Sequence, residues 1–246
     1  MSETKLNDTE ILRELKKFDT PSVTNVVATY PDDPEICLGL YEPWEIDWYT
    51  DETLRCLYPE MGRVAGYAVT CVFGLPSPGF KRLSFNDVLR AVGNSPKPVV
   101  LVIKNNFPEK YKKKCAVSGG NMTTAMKMAG VEGVISDAPV RDIDELRELG
   151  VQYLVTGAVA GHGEFAVQAV NVPVNVAGMD ICPGEIIHMD ENGAVKFPRG
   201  HLPDVLIKIK KLSEIEKTRM DALKKATDVE TIIKIMSNDD CTKKPQ

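Results

Sequence analysis

The chain has 246 residues, 43% of them hydrophobic and 26% charged, the make-up of a globular protein and not of a disordered or fibrous one. A chain of this length buries enough apolar surface to hold a core with neither disulfides nor a structural metal. Thirty Lys and Arg against 35 Asp and Glu give a net charge of -5, which argues against a phosphate-tracking surface, and the longest aliphatic run, Val99 to Ile103, is far short of the ~20 residues that span a bilayer, so neither nucleic acid nor membrane is an expected partner.

Asn7 with Glu10 three residues later makes a capping box, and Ile11, Leu12 and Leu15 recur at helical spacing, so a first helix is predicted that ends at Phe18-Asp19-Thr20-Pro21. Its mixture of charges is unlike a signal-peptide core, and export is not expected. A second helix is expected after Pro21. Between residues 29 and 60 nine acids face the single base Arg55, and Trp44 and Trp48 fall here with Tyr41 and Tyr49. A long stretch of this kind serves as a lid, as a subunit contact, or as a loop packed on its own domain.

Short apolar runs bounded by turn residues then predict strands at 63–73, 99–104, 133–136, 153–159, 173–176, 186–189 and 194–197. Helices are predicted at 84–92, opened by a Ser84/Asp87 box, at 121–129, closed by Gly130, and at 142–149, closed by Gly150. Strand–helix alternation followed by consecutive strands implies a mixed α/β layered domain over residues 1–198. Beyond it, Val205, Ile209, Leu212 and Ile215 form one apolar stripe among alternating charges, and Thr227 with Glu230 makes a box for a last short helix, giving a helical extension over 199–246. Six cysteines (37, 56, 71, 115, 182, 241) lie far apart with no C-x-x-C pair, which fits reduced thiols and a cytoplasmic location better than a zinc knuckle or a dithiol motif.

Three constellations bear on chemistry. Gly161-x-Gly163-x-x-Ala166, with Asp180 further on, has the outline of a dinucleotide fingerprint, but residues 164–171 leave too little room before Pro173 for the crossover helix such a site needs. Ser118-Gly119-Gly120-Asn121-Met122 opens a helix with a glycine pair, so the Asn121 and Met122 amides suit a carboxylate or phosphate unless this is an ordinary tight turn. Asp137-Ala138-Pro139-Val140-Arg141-Asp142 leaves a strand and enters a helix. Asp142 with Glu145 reads there as a capping box, or Arg141 and Asp142 join the glycine turn at the sheet edge where α/β folds place ligands.

Four blocks carry a family resemblance: Phe18-Asp19-Thr20-Pro21-Ser22-Val23, Val64-Ala65-Gly66-Tyr67-Ala68-Val69-Thr70, the stretch from Gly130 through Gly133 and Asp137 to Val140-Arg141-Asp142, and the stretch from Pro183-Gly184-Glu185 through His188 and Asp190 to Gly193. In this order they resemble the RraA-like family of metal-dependent 4-hydroxy-4-methyl-2-oxoglutarate aldolases, oxaloacetate decarboxylases and the regulator of ribonuclease activity A. The resemblance implies a swivelling β/β/α domain with mixed sheets and helices outside, assembled as a homotrimer or homohexamer. It also implies a carbon–carbon lyase that acts on a small 2-oxo acid with pyruvate as product, and as the alternative a catalytically silent regulatory or binding protein. Asp142 would hold Mg2+ or Mn2+, Arg141 would bind substrate oxygens, and Gly119, Gly120, Asn121 and Met122 would cradle the carboxylate. Aldolase members carry an acid twenty-one residues before the arginine, where this chain has Gly120, which puts hydroxy-oxoglutarate cleavage in question and leaves decarboxylation open. His162 and His188 fall in matching segments, each readable as a structural residue or a base.

Overall fold

A computed structural model describes residues 6–28, 35–42, 44–79 and 83–237. Its longest strand, β2 (Val64–Gly74), is buried over almost its whole length and organises the sheet. One edge pairs in parallel with β3 (Val99–Asn106), which continues through β4 (Val131–Ser136) and β5 (Gln152–Val155), also parallel, to a short antiparallel β1 (Arg55–Cys56). The other edge of β2 is divided. Val64 to Tyr67 pair with antiparallel β9 (Ile186–Asp190), which carries β10 (Gly193–Phe197), and Cys71 to Gly74 pair with antiparallel β6 (Ala166–Val170). A separate hairpin, β7 (Val174–Val176) with β8 (Met179–Ile181), covers one face. The expected mixed α/β architecture is present.

Alternation along the strands sorts side chains into three cores. Val69, Cys71 and Phe73 of β2 and Leu101 and Ile103 of β3 face α3 (Phe85–Asn94), α5 (Gly120–Ala129) and α6 (Ile143–Glu148). Ala68, Val100 and Val102 point the other way, onto the β7–β8 hairpin. Ala65, Tyr67, Ile186 and Phe197 form the third core with α1 (Asp8–Leu15), α2 (Thr20–Val27) and α7 (Leu202–Lys225). The apolar stripe predicted past residue 198 therefore buries Val205, Ile209 and Leu212 against the N-terminal helices. Short α4 (Glu109–Lys112) follows β3, and α8 (Val229–Ser237) ends the described chain. No helix among the described residues is long and apolar enough to cross a membrane.

The Asn7/Glu10 box is formed reciprocally, and Asp87 accepts the Ser84 N–H at 2.7 Å. Two other boxes are not. Asp228, not Thr227, accepts the Thr231 N–H at the start of α8, and Asp142 makes no cap hydrogen bond to α6 at all. The strand predicted to reach residue 159 stops at Val155. Residues 156–159 run on as loop because they pair with another loop instead of a strand, Val140 N–H donating to Gly157 O and Val159 N–H to Val140 O. Strands β1, β6 and β8 carry no predicted counterpart, and β6 occupies the stretch that the dinucleotide reading would have made a helix.

The acidic segment is in part packed on its own domain. Trp48 is 5% exposed, stacks on Tyr41 with ring centroids 4.9 Å apart, and donates its indole N–H to Glu45 O, while Tyr49 bridges to Val195 at the edge of β10. Trp44, at 76% exposure, projects outward. Thr29 to Pro34 and Pro43 of this segment, and Cys241, lie outside the described residues.

Candidate active site

The C-terminal ends of β3 and β4 feed two loops that are held to each other by backbone. Val117 N–H donates to Pro139 O and Arg141 N–H to Ser118 O, while Ala116 N–H reaches Gly161 O. Three loop segments, 115–118, 138–141 and 156–161, thus form a small extended floor, and Arg141 leaves it with its backbone fixed. Beneath, Tyr153 is fully buried, 2.7 Å from Thr123 Oγ1 and 3.3 Å from Ser118 Oγ, and burial pushes its phenol up to about 12. Thr123 Oγ1 also reaches Gly119 O at 2.9 Å, which ties the glycine pair to this buried cluster.

Asp142 has φ 61 and ψ 44, a left-handed conformation costly for any residue with a Cβ and tolerated best by Asn, Asp and Gly. This turn carries its carboxylate away from the α6 it precedes and toward α5, where Oδ2 accepts the Gly120 N–H at 3.0 Å and lies 3.4 Å from Arg141 Nε. The capping reading of Asp142 is overturned by that geometry. The next two amides of α5, Asn121 and Met122, stand in the first helical turn with no hydrogen-bond partner among the described residues, a donor pair suited to an anion.

Gly119 leaves room for the close approach of both side chains: a Cβ there would lie 2.4 Å from Asp142 Oδ2 and 3.0 Å from Arg141 Nε. All six residues singled out in the sequence, Gly119, Gly120, Asn121, Met122, Arg141 and Asp142, line one cleft of about 520 Å³, joined by Ala116, Ser118, Glu145, His162 and Phe165. Arg141 and Asp142 are about one-third exposed, so their charges stay partly solvated and available to a ligand. Phe165 closes one side by stacking on Phe73 at 5.1 Å. His162 is exposed, its Nδ1 3.1 Å from Gly163 O.

His188 is placed far from this cleft. It is fully buried under α2, Nδ1 2.9 Å from Thr20 Oγ1 and Nε2 3.2 Å from Leu15 O, and burial pulls its imidazole down to about 4. Both ring nitrogens are engaged, so it works as a tie and not as a base. A larger cavity of about 770 Å³ beside α1 holds two ion pairs, Lys16 with Glu132 and Arg199 with Asp8, and is lined as well by Glu10, Arg13 and Lys97.

Glu145 and Phe165 were not legible as cleft residues. Only Glu145 had a usable signal, since it stands one helical turn beyond Asp142 and so shares its face. Among the described residues no three His, Cys, Asp or Glu side chains group as a metal cage. The Asp142 carboxylate, about one-third exposed at the cleft, is an oxygen donor that fits a hard divalent cation which keeps several waters and completes its shell with substrate oxygens.

A family model described as RraA-like, Aldolase/RraA, matches residues 46–196, more than half of the chain. The 4-hydroxy-4-methyl-2-oxoglutarate aldolase of Thermus thermophilus is 34% identical over 89 residues, 34% of this chain and 51% of that one. A Burkholderia multivorans protein that bears the same aldolase name provisionally is 32% identical over 146 residues, 58% of this chain and 84% of that one. The chain spans 58%, 20% and 52% of the length of three further curated relatives, about half or less in most cases. Streptomyces coelicolor RraAS2, described as an unusual member of the RNase ES inhibitor RraA protein family, superposes with a TM-score of 0.61 at 19% identity over 88% of this chain and 98% of that one, a likeness of fold.

Proposed function

Because the chain belongs to the RraA-like family, we propose that its cleft is the active site of a divalent-metal-dependent lyase that cleaves or decarboxylates a small 2-oxo acid and releases pyruvate. The observation that carries this reading is Asp142, held in a left-handed turn so that its carboxylate meets the start of α5 beside Arg141. A helix cap needs no such backbone, and strain of this kind gathers where geometry serves a ligand. The names of relatives support the reaction class.

Asp142 would hold Mg2+ or Mn2+. When bound, such a cation withdraws electrons from the 2-oxo acid's carbonyl and carboxylate. The remaining work falls to the chain. The Asn121 and Met122 amides hold a substrate carboxylate at the positive end of α5. Arg141 adds a positive centre where negative charge grows on the substrate as the carbon–carbon bond breaks. Preorganisation comes from the floor of paired loops, which needs no rearrangement during the reaction.

Pyruvate release from a panel of 2-oxo acids, with and without Mg2+ and a chelator, tests the proposal. Wild type should release pyruvate only with metal, and Arg141→Ala and Asp142→Ala should each lose at least ~100-fold in kcat/KM while remaining folded. If metal has no effect and all three proteins are inert alike, the second reading gains, a catalytically silent regulatory or binding protein, which the glycine at 120 favours. The same proposal includes a cytoplasmic homotrimer or homohexamer, with exposed Trp44 and Ile46 as apolar surface for contact. Sedimentation checks the assembly.

A further inference from the structure

Resting on the lyase reading, we propose that Glu145 is the proton-handling carboxylate of the cleft, reaching in from α6 to occupy the space that glycine leaves at position 120. A Cβ built on Gly120 would lie 1.7 Å from Glu145 Oε2 and 3.0 Å from its Cδ, so the carboxylate rests directly over the first residue of α5. The two glycines are filled by two acids, Gly119 by Asp142 and Gly120 by Glu145. Backbone conformation does not demand glycine at 120, which is an ordinary helical residue without positive φ. The space a side chain would take there is occupied by the Glu145 carboxylate.

The other polar groups of the cleft are committed elsewhere. Asp142 accepts the Gly120 N–H beside Arg141, the Arg141 guanidinium offers donors and no acceptor, and His162 is turned to Gly163 O. Among the described residues no hydrogen bond or ion pair engages the Glu145 carboxylate. It is therefore the one acid of the cleft left free to take and return a proton.

Retro-aldol cleavage of a 4-hydroxy-2-oxo acid needs such a group. The C4 hydroxyl proton passes to Glu145 as the C3–C4 bond breaks. The C4–O bond becomes a carbonyl, and the electron pair of the broken bond moves through C3 to the C2 oxygen as an enolate. Return of a proton to C3 yields pyruvate and leaves Glu145 as it began. Decarboxylation of a 2-oxo diacid breaks C3–C4 with loss of carbon dioxide and has no hydroxyl proton to remove. Glu145 thus weights the cleft toward cleavage of hydroxylated substrates, and the acid missing from α5 is supplied across the cleft from α6.

The full-length wild type, Glu145→Gln, Glu145→Ala and the double variant Gly120→Asp/Glu145→Ala are compared by pyruvate release from 4-hydroxy-4-methyl-2-oxoglutarate and from oxaloacetate, and by Mn2+ affinity from electron paramagnetic resonance. Removal of the carboxylate is expected to lower the cleavage-to-decarboxylation ratio about 100-fold, through kcat more than KM and with Mn2+ still bound. The double variant should recover at least ten-fold of the cleavage lost in Glu145→Ala. An unchanged ratio overturns the proposal. So does a parallel fall of both reactions together with Mn2+ affinity, which would make Glu145 a metal ligand only. A wild type that binds Mn2+ but releases no pyruvate from either substrate removes the lyase reading itself, and the proposal with it.

Discussion

At the C-terminal ends of the parallel strands, Arg141 and Asp142 stand about one-third exposed on a strained turn, with Glu145 free beside them. At the opposite end, where β2 begins, Thr20, His188 and Asp190 are at most 4% exposed and each polar group is matched. Thr20 N–H donates to Asp190 Oδ2 at 2.7 Å, Asn192 N–H donates to Oδ1 at 2.8 Å, and His188 is held on both ring nitrogens. Similar residue types thus do opposite work. Where polar groups are buried and satisfied they fasten α2 to β9, and where they are half-solvated and incompletely satisfied they are ready for a ligand.

The sharpest way to break this contrast is Asp190→Ala. It strips the Thr20 N–H of its buried acceptor and leaves Arg63, 3.9 Å away, without its acid. A loss of about 3 kcal/mol is expected in urea unfolding, with activity per folded molecule retained. Activity lost at unchanged stability would mean that the tie belongs to the site after all.

The next effect is pH-dependent. The His188 imidazole titrates near 4 in the fold because burial opposes its charge, against about 6.5 when unfolded. Between those values the unfolded chain binds the proton first, so stability must fall as pH drops through 6.5 toward 4. About 2 kcal/mol should go between pH 7.5 and pH 5. In urea titrations at the two pH values, His188→Gln should flatten most of that slope, and a variant with the wild-type slope would assign it to other groups.

The smallest stability effect is expected at the cleft. Asp142→Asn keeps a residue that tolerates the left-handed turn and can still accept the Gly120 N–H, so unfolding should shift by less than about 0.5 kcal/mol. Metal affinity and pyruvate release should nevertheless collapse, which calorimetric Mn2+ titration would show. A large loss of stability would return Asp142 to a purely structural role.

The long apolar strands β2 and β3 and the amphipathic α1 were legible because buried surface writes a regular period into the sequence. β6 was not, since Ala166–Val170 is mostly half-buried and follows a glycine-rich stretch, so neither its pattern nor its neighbourhood marks a strand. The six cleft residues announced themselves as two turns, but their roles did not. An aspartate with a glutamate three positions on is spelled the same whether it caps its helix or, as at Asp142, turns to φ 61 and serves another helix. Gly120 read as a deletion because the carboxylate that fills its place comes from a different helix, and a linear motif has no means of recording a substitution made through space.

The divided edge of β2 also bears on how such a protein can diverge. Its last residues carry β6 and, through Phe73, the Phe165 wall of the cleft, whereas its first residues carry β9 and the His188 tie. Change at Cys71 to Gly74 therefore reaches the Phe165 wall and change at Val64 to Tyr67 the N-terminal helices, with three residues between the two stretches. A single strand so partitioned allows the cleft wall to change at one end while the anchoring at the other is kept.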